Sequence, residues 1–368
     1  MNTEASLCCV PDFQEYAFRT LPKKVLDYYR SGSCQQKTLH NNREAFDRLR
    51  IRPRMLIDAS KIETSSEVLG CKVQIPFGIA PSAMQKLAHP EGEIGNAKAI
   101  GQLGGIYILS TLSTTSLEDV AAATPNTTKW FQLYVYKDRE LTKKVVQRAE
   151  KAGYKALVLT VDANVFGLRY ADMKNNFDLP PHLKLANFDG LISKIEKAEN
   201  TSGLNSYCNQ LFDQSISWND VQWLQKITKL PVVLKGILTA EDAIVAVEHG
   251  VSAIIVSNHG GRQLDTAPAS IEALPEIVRA VGNKVDVLFD GGIQYGTDIF
   301  KALALGAKMV FIGRAALWGL AYGGEKGVHK LLKILENELT TTMGLTGCQK
   351  VKDIKKEMIV HESFYHKL

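Results

Sequence analysis

His259 and Arg262 stand three residues apart in the string Ser257-Asn258-His259-Gly260-Gly261-Arg262-Gln263-Leu264-Asp265. An imidazole can take up a proton near neutral pH. A guanidinium grips a carboxylate with a two-pronged fork. A base beside a carboxylate clamp suits chemistry on the carbon next to an acid group. The apolar run Ala253-Ile254-Ile255-Val256 precedes the string and reads as a buried strand, which puts both side chains at its end. Lys235 follows a similar run, Val232-Val233-Leu234. Its amine could form a Schiff base with a carbonyl, hold negative charge on a bound ring, or pair with a carboxylate.

These groups need elements to position them. Short apolar, β-rich runs recur at Ile75–Ala80, Ile106–Ser110, Trp130–Val135, Ala156–Thr160, Val232–Leu234, Ala253–Val256, Val285–Phe289 and Met309–Ile312. Helical spacing fills the gaps, most clearly at Glu91–Leu103, Arg139–Ala152, Ala240–His249, Ile271–Val281 and Thr297–Leu305. Strand alternating with helix eight times predicts an α/β fold, a single (β/α)8 TIM barrel over residues 71–345. Residues 1–70 read as an N-terminal helical segment, with helices around Leu21–Tyr29 and Arg43–Leu49. Residues 163–217, with Pro180-Pro181 and the polar stretch Lys194–Asn200, read as a lid-like insertion after strand four. A final helix is expected over Val328–Met343, and no Pro/Gly/Ser linker divides the 368 residues.

A barrel of this kind works at the C-terminal ends of its strands. Ser82, Ser110, Gln132, Tyr134, Thr160, Asp162, Lys235, Ser257, His259, Asp290 and Arg314 all fall there. Each has an ordinary reading as a cap or turn residue; their shared rim does not. Asp290-Gly291-Gly292-Ile293 and Gly313-Arg314, after strands seven and eight, offer backbone N–H groups and a cation where barrels bind phosphate.

Bulk composition narrows the classes. Charged residues are 23% and hydrophobic ones 45%, an ordinary globular balance. The net charge of +5 is mild and no basic stripe accompanies it, so nucleic acid is not an expected partner. No apolar run approaches the roughly 18–20 residues needed to span a bilayer, and no secretory signal is evident. Metal ligation is not expected, and the six scattered cysteines fit reduced thiols better than a disulfide scaffold. The chain ends in His366-Lys367-Leu368, close to the Ser-Lys-Leu peroxisomal address; a cytoplasmic location is the alternative.

Taken together, these residues resemble the FMN-dependent α-hydroxy acid oxidase family. Ser257–Asp265 is similar to that family's active-site string. The likeness continues through Leu21-Pro22-Lys23, Asp27-Tyr28-Tyr29, Phe131-Gln132-Leu133-Tyr134, Tyr136-Lys137-Asp138, Thr160-Val161-Asp162, Asp290-Gly291-Gly292 and Lys301–Ala307, covering roughly residues 10–350. The resemblance implies oxidation of an (S)-2-hydroxy acid to a 2-oxo acid, with FMN and then O2 as electron acceptors and hydrogen peroxide as product. It implies His259 as base, Asp162 as the imidazole's partner, Arg169 and Arg262 as carboxylate clamps with Tyr28, and Tyr134 on the reacting oxygen. It implies FMN contacts from Pro81, Ser82, Ala83, Ser110, Gln132, Thr160 and Ser257, with Lys235 beside the flavin's pyrimidine edge. Asp290, Gly291, Gly292, Gln294, Gly313 and Arg314 would complete the cofactor site, and the assembly would be a homotetramer. The base could take the hydroxyl proton while hydride leaves the α-carbon, or take the α-proton itself.

Three positions depart from the family pattern. Leu112 stands where close relatives carry Trp, which opens space for a longer or bulkier substrate tail, unless drift has been compensated elsewhere. Gln294 replaces an Arg facing the FMN phosphate, at a cost of about 1.5–3 kcal/mol for one charge-assisted bond. Ala163-Asn164 replaces Thr-Pro at the start of the insertion. The alternatives left open are a dehydrogenase using another electron acceptor, a Schiff-base aldolase on Lys235, and a catalytically silent FMN-binding barrel.

Overall fold

The computed structural model describes residues 7–188 and 210–367. Eight parallel strands close into a barrel: β1 (Phe77–Ile79), β2 (Ile106–Leu109), β3 (Thr128–Leu133), β4 (Leu157–Thr160), β5 (Val232–Ile237), β6 (Ala253–Val256), β7 (Asp286–Asp290) and β8 (Met309–Ile312). Every neighbour in the ring is a neighbour in sequence, and β8 pairs back onto β1. Strands β1, β2, β4, β6 and β8 are buried throughout, as a sheet covered on both faces requires. The expected runs all sit on these strands, displaced by a residue or two at the ends except at β5.

β5 corrects the expected Val232–Leu234. It runs on to Ile237, with a register shift between Lys235 and Ile237, so Lys235 lies within the strand. The expected final helix also begins earlier. Arg314–Thr346 is helical apart from a break at Gly323-Gly324, and that pair of glycines masks its first half in the sequence.

The N-terminal segment is not wholly helical. Three helices, Val10–Thr20, Lys23–Arg30 and Lys37–Asp47, are followed by Leu49–Ile51, which pairs antiparallel with Ile359–His361. Leu49 is therefore strand, not helix. A tight hairpin of Ser66–Val68 and Cys71–Val73 comes next. Three-residue strands are too short for an alternating pattern to declare itself. The hairpin's Val68 and Val73 pack with Ile106, Trp130, Ala156, Val233, Ala253 and Met309 inside the barrel and form its floor.

The insertion holds a short helix, Tyr170–Asn175, and a single turn, Ala186–Phe188, within its described part. Lys194–Asn200 lies outside the described residues, as does Leu368 at the chain's end.

Candidate active site

A cavity of about 710 Å³ opens at the C-terminal ends of the strands. Tyr28, Pro81, Ser82, Ala83, Ser110, Leu112, Gln132, Tyr134, Thr160, Arg169, Lys235, His259, Arg262, Asp290, Gly291, Gly292, Gln294, Gly313 and Arg314 all line it. Asp162 and Ser257 do not. They sit behind the wall, each bonded to a residue on it. Ser257, expected against the flavin, is fully buried; its hydroxyl accepts from Lys235 Nζ at 2.8 Å and from the His259 N–H at 3.0 Å.

His259 follows β6 with φ of +59°, a left-handed conformation uncommon outside glycine. Its Nδ1 lies 2.9 Å from Asp162 Oδ1, which fixes Nδ1 as the protonated nitrogen and leaves the other as the base. Asp162 approaches so closely because Gly236, at φ +115°, stands at the register shift of β5. A Cβ there would meet Asp162 at 2.7 Å. Burial holds the His259 pKa below its ordinary 6.5; Asp162 opposes that pull, while Lys235 and Arg169 add to it. Burial would by itself raise Asp162, yet His259 and Lys235 outweigh it and keep the carboxyl below 3.8. The pair is thus a neutral imidazole on an ionised carboxylate at neutral pH. Asp162 Oδ2 is buried and has no hydrogen-bond partner among the described residues.

Three guanidinium groups gather opposite this pair. Arg169 Nε donates to the Arg262 carbonyl at 3.3 Å and Nη2 to Gln263 Oε1 at 3.2 Å. Arg262 Nη1 donates to the carbonyls of Tyr28 (2.7 Å) and Ser31 (3.0 Å), with its guanidinium 5.0 Å from the Tyr28 ring centroid. Arg314 turns toward the same segment, donating to the carbonyls of Tyr29 (2.8 Å), Gly260 (2.9 Å) and Ser31 (3.1 Å). Burial and the neighbouring arginines push Arg314 down to about 9; burial and Arg262 push Arg169 down to about 10. The nearest carboxylate to Arg169, that of Asp172, is 4.0 Å away. Arginines whose pKa is pulled down by a neighbouring guanidinium mark a place that gains from an anion.

Around the barrel mouth the polar side chains are knitted together. Gln132 Oε1 accepts from the Thr111 N–H at 3.0 Å, and its Nε2 donates to Thr160 Oγ1 at 3.1 Å. Lys235 Nζ is held between Ser257 Oγ and Asp290 Oδ2, the latter at 3.0 Å. An ammonium locked to a carboxylate is poorly placed to attack a carbonyl, which weighs against the Schiff-base reading. At the far end, Gly292 has φ of +80°, and a Cβ on it would strike the Asn42 carbonyl at 2.2 Å. Gly313 faces open space at the start of the helix from Arg314, whose N-terminus carries no side-chain cap. Arg43 bridges the Gly292 carbonyl (3.0 Å) and Asp298, and among the described residues Gln294 Nε2 reaches only Gln14 Oε1, at 3.5 Å.

Sequence reasoning missed two kinds of residue. Phe166 lines the cavity with its ring centroid 6.2 Å from that of Tyr134, and an aromatic side chain in an irregular connection carries no periodic signal. Gln263, Asn258 and Asp265 were within the string already singled out. Gln263 binds Arg169 and the Asp162 carbonyl (2.9 Å), Asn258 exchanges amide bonds with Asn42, and Asp265 accepts from the N–H groups of Gln35 and Thr38, both at 2.9 Å.

A parallel barrel with a carboxylate-backed histidine, clustered arginines and an uncapped helix N-terminus on one rim defines a class of barrels built for acid–base chemistry on an anionic substrate. Comparison with known proteins makes it particular. A family model described as FMN-dependent dehydrogenase matches residues 17–361. Glycolate oxidase 3 of Oryza sativa subsp. indica is 52% identical over 355 residues, 96% of each chain. 2-Hydroxyacid oxidase 1 of Homo sapiens is 49% identical over 356 residues, again 96% of each. A crystal structure of mandelate oxidase with (S)-4-hydroxymandelic acid superposes with a TM-score of 0.91 at 41% identity, covering 95% of this chain and 98% of that one. The chain belongs to the FMN-dependent dehydrogenase family.

The residues present fit FMN. Open backbone at Gly313 and an uncapped helix N-terminus suit a phosphate. The Ser110, Gln132 and Thr160 network offers donors and acceptors to a heteroaromatic ring, and Lys235 offers it a positive charge.

Proposed function

We propose that this protein oxidises (S)-2-hydroxy acids to 2-oxo acids and passes the electrons to dioxygen. One hydroxy acid and one O2 give one oxo acid and one hydrogen peroxide. The observation that carries this reading is the Asp162–His259 pair facing Arg169 and Arg262 across one cavity. When bound, FMN supplies the two-electron acceptor that O2 regenerates. The chain's own residues do the rest. Arg169 and Arg262 hold the substrate carboxylate, with their remaining bonds to backbone and Gln263 fixing their direction. Tyr134 borders the same space and serves the reacting oxygen. His259 takes the hydroxyl proton at its free nitrogen, and Asp162 balances the imidazolium that forms. Lys235, fixed by Asp290 and Ser257, keeps a positive charge toward the electron acceptor.

Leu112 and Phe166 support a substrate tail longer or bulkier than that of glycolate, because both give the cavity apolar lining and the Phe166 ring centroid lies 5.9 Å from the Arg169 guanidinium. A panel of 2-hydroxy acids from glycolate to 2-hydroxyoctanoate, plus mandelate, tests this; highest kcat/KM on glycolate would refute it. Measuring peroxide per oxo acid formed tests the oxidase reading: a ratio of one is expected, and little peroxide under air would favour the dehydrogenase. His259→Ala should abolish turnover yet leave FMN bound in a fluorescence titration; turnover equal to the parent's would remove His259 from its role as base.

Two further parts complete this reading: assembly as a homotetramer, implied by the resemblance and checked by light scattering, and peroxisomal import, suggested by the likeness of His366-Lys367-Leu368 to Ser-Lys-Leu. A fluorescent protein carrying that tripeptide at its C-terminus should enter peroxisomes, and a version lacking it should not.

A further inference from the structure

Both described limbs of the connection after β4 are stitched to the loops that carry the cavity's apolar wall. On the outgoing limb, buried Asn187 donates to the Thr111 carbonyl and Ser113 Oγ, each at 2.9 Å, and accepts from the Leu117 N–H at 2.8 Å. Those bonds clasp the loop that holds Leu112. On the return limb, the Lys137 N–H donates to the Leu211 carbonyl and the Asp213 N–H to the Val135 carbonyl, both at 2.9 Å. Arg139 ties Asp213 (2.6 Å) and Asp220 (2.7 Å) to the same place.

This lacing delivers Phe212 behind the wall. Its ring stacks on Tyr134 with centroids 4.6 Å apart and planes at 26°, and on Phe166 at 5.9 Å and 29°. Its edge meets Tyr136 at 5.2 Å. Tyr134 and Phe166 line the cavity, whereas Phe212 is buried behind them. Stacked rings in a close-packed layer resist both tilt and retreat. We infer that Phe212 is a positioning residue that sets the Tyr134 hydroxyl and the Phe166 wall together, and so fixes which substrate tails are accepted. The inference rests on the 2-hydroxy acid reading above and adds the residue that enforces its tail selectivity.

The test uses the FMN-loaded enzyme with Phe212→Ala, Phe212→Leu and Phe212→Tyr, each alone and with Tyr134→Phe. In Phe212→Ala, Phe166 can retreat into the vacated space and Tyr134 loses its backing. The ratio of kcat/KM for mandelate over glycolate should rise about tenfold, the scale of pocket-size discrimination. Phe212→Tyr should keep the parent ratio, and FMN affinity by fluorescence should not change. The fall in kcat caused by Phe212→Ala should shrink when Tyr134 is already Phe, since the effect runs through that hydroxyl. An equal fall on both substrates, or a lower melting temperature with the ratio intact, would overturn the inference. Phe212→Leu keeps enough volume to give the answer if the alanine variant does not fold. Titration with acetate and phenylacetate, followed by flavin absorbance, reads the same wall without turnover. An inactive parent protein would therefore refute the functional reading, while the ratio of these two affinities would still decide the role of Phe212.

Discussion

At the scale of single residues, the site turns on one proton and its counter-charge. His259 is the base in its neutral form, and burial already holds its pKa below 6.5. Activity should therefore rise with pH through a value under 6.5 and stay level across neutrality. Asp162 is what raises that pKa, so Asp162→Asn should move the rising limb to still lower pH. It should also cut kcat by about a hundredfold or more, because the imidazolium formed in the reaction loses its partner. A pH profile of kcat/KM reads both effects; a limb that moves upward would refute the assignment. His259, Asp162 and Arg262 were legible in the sequence from their chemistry and their place at strand ends, whereas Arg169, in an irregular connection, came only with the family resemblance. What Lys235 does was not legible. Three readings fitted its place after an apolar run, and the packing of Asp290 and Ser257 around its ammonium weighs only against the Schiff base.

At the scale of elements, the string 257–265 alternates chemistry with tethers. His259 and Arg262 face the cavity, while Asn258 and Asp265 hold the helix Lys37–Asp47 and the turn before it. That attachment matters to the clamp, because Arg262 is anchored on carbonyls of Tyr28 and Ser31 just upstream. Asp265→Ala leaves the Gln35 and Thr38 N–H groups without their acceptor, at a cost of about 1–2 kcal/mol. The expected result is a lower melting temperature together with a raised KM for the hydroxy acid, at little change in FMN affinity. An unchanged KM would show that the N-terminal segment does not steer Arg262. Periodicity revealed the strands and the amphipathic helices, since each repeats its pattern over several residues. It could not reveal this tether or the return limb that carries Phe212. Both depend on contacts between residues far apart in the chain, and neither element repeats a pattern long enough to register.

At the scale of the whole molecule, the barrel separates the end that reacts from the end that holds. Every group assigned to the chemistry sits on or just behind the rim at the strands' C-terminal ends, whereas the opposite end is closed by the Ser66–Val73 hairpin. Val73 is buried there against residues that point into the barrel, and its hairpin also reaches β7 through the Leu69 N–H on Asp286, at 2.9 Å. Val73→Ala removes two buried carbons without touching the cavity and should cost about 1–2 kcal/mol of stability. Stability and activity should then part in opposite ways at the two ends. Val73→Ala should melt a few degrees lower with kcat and KM unchanged below its transition, while His259→Ala should lose turnover even at temperatures where it is fully folded. The second half follows from the loss of the base itself; any lower melting temperature there comes from the buried Asp162 carboxylate left without its imidazole partner. Paired thermal melts and initial rates decide it. If the floor variant loses activity in proportion to its stability, the hairpin helps shape the catalytic rim and the two ends are mechanically one.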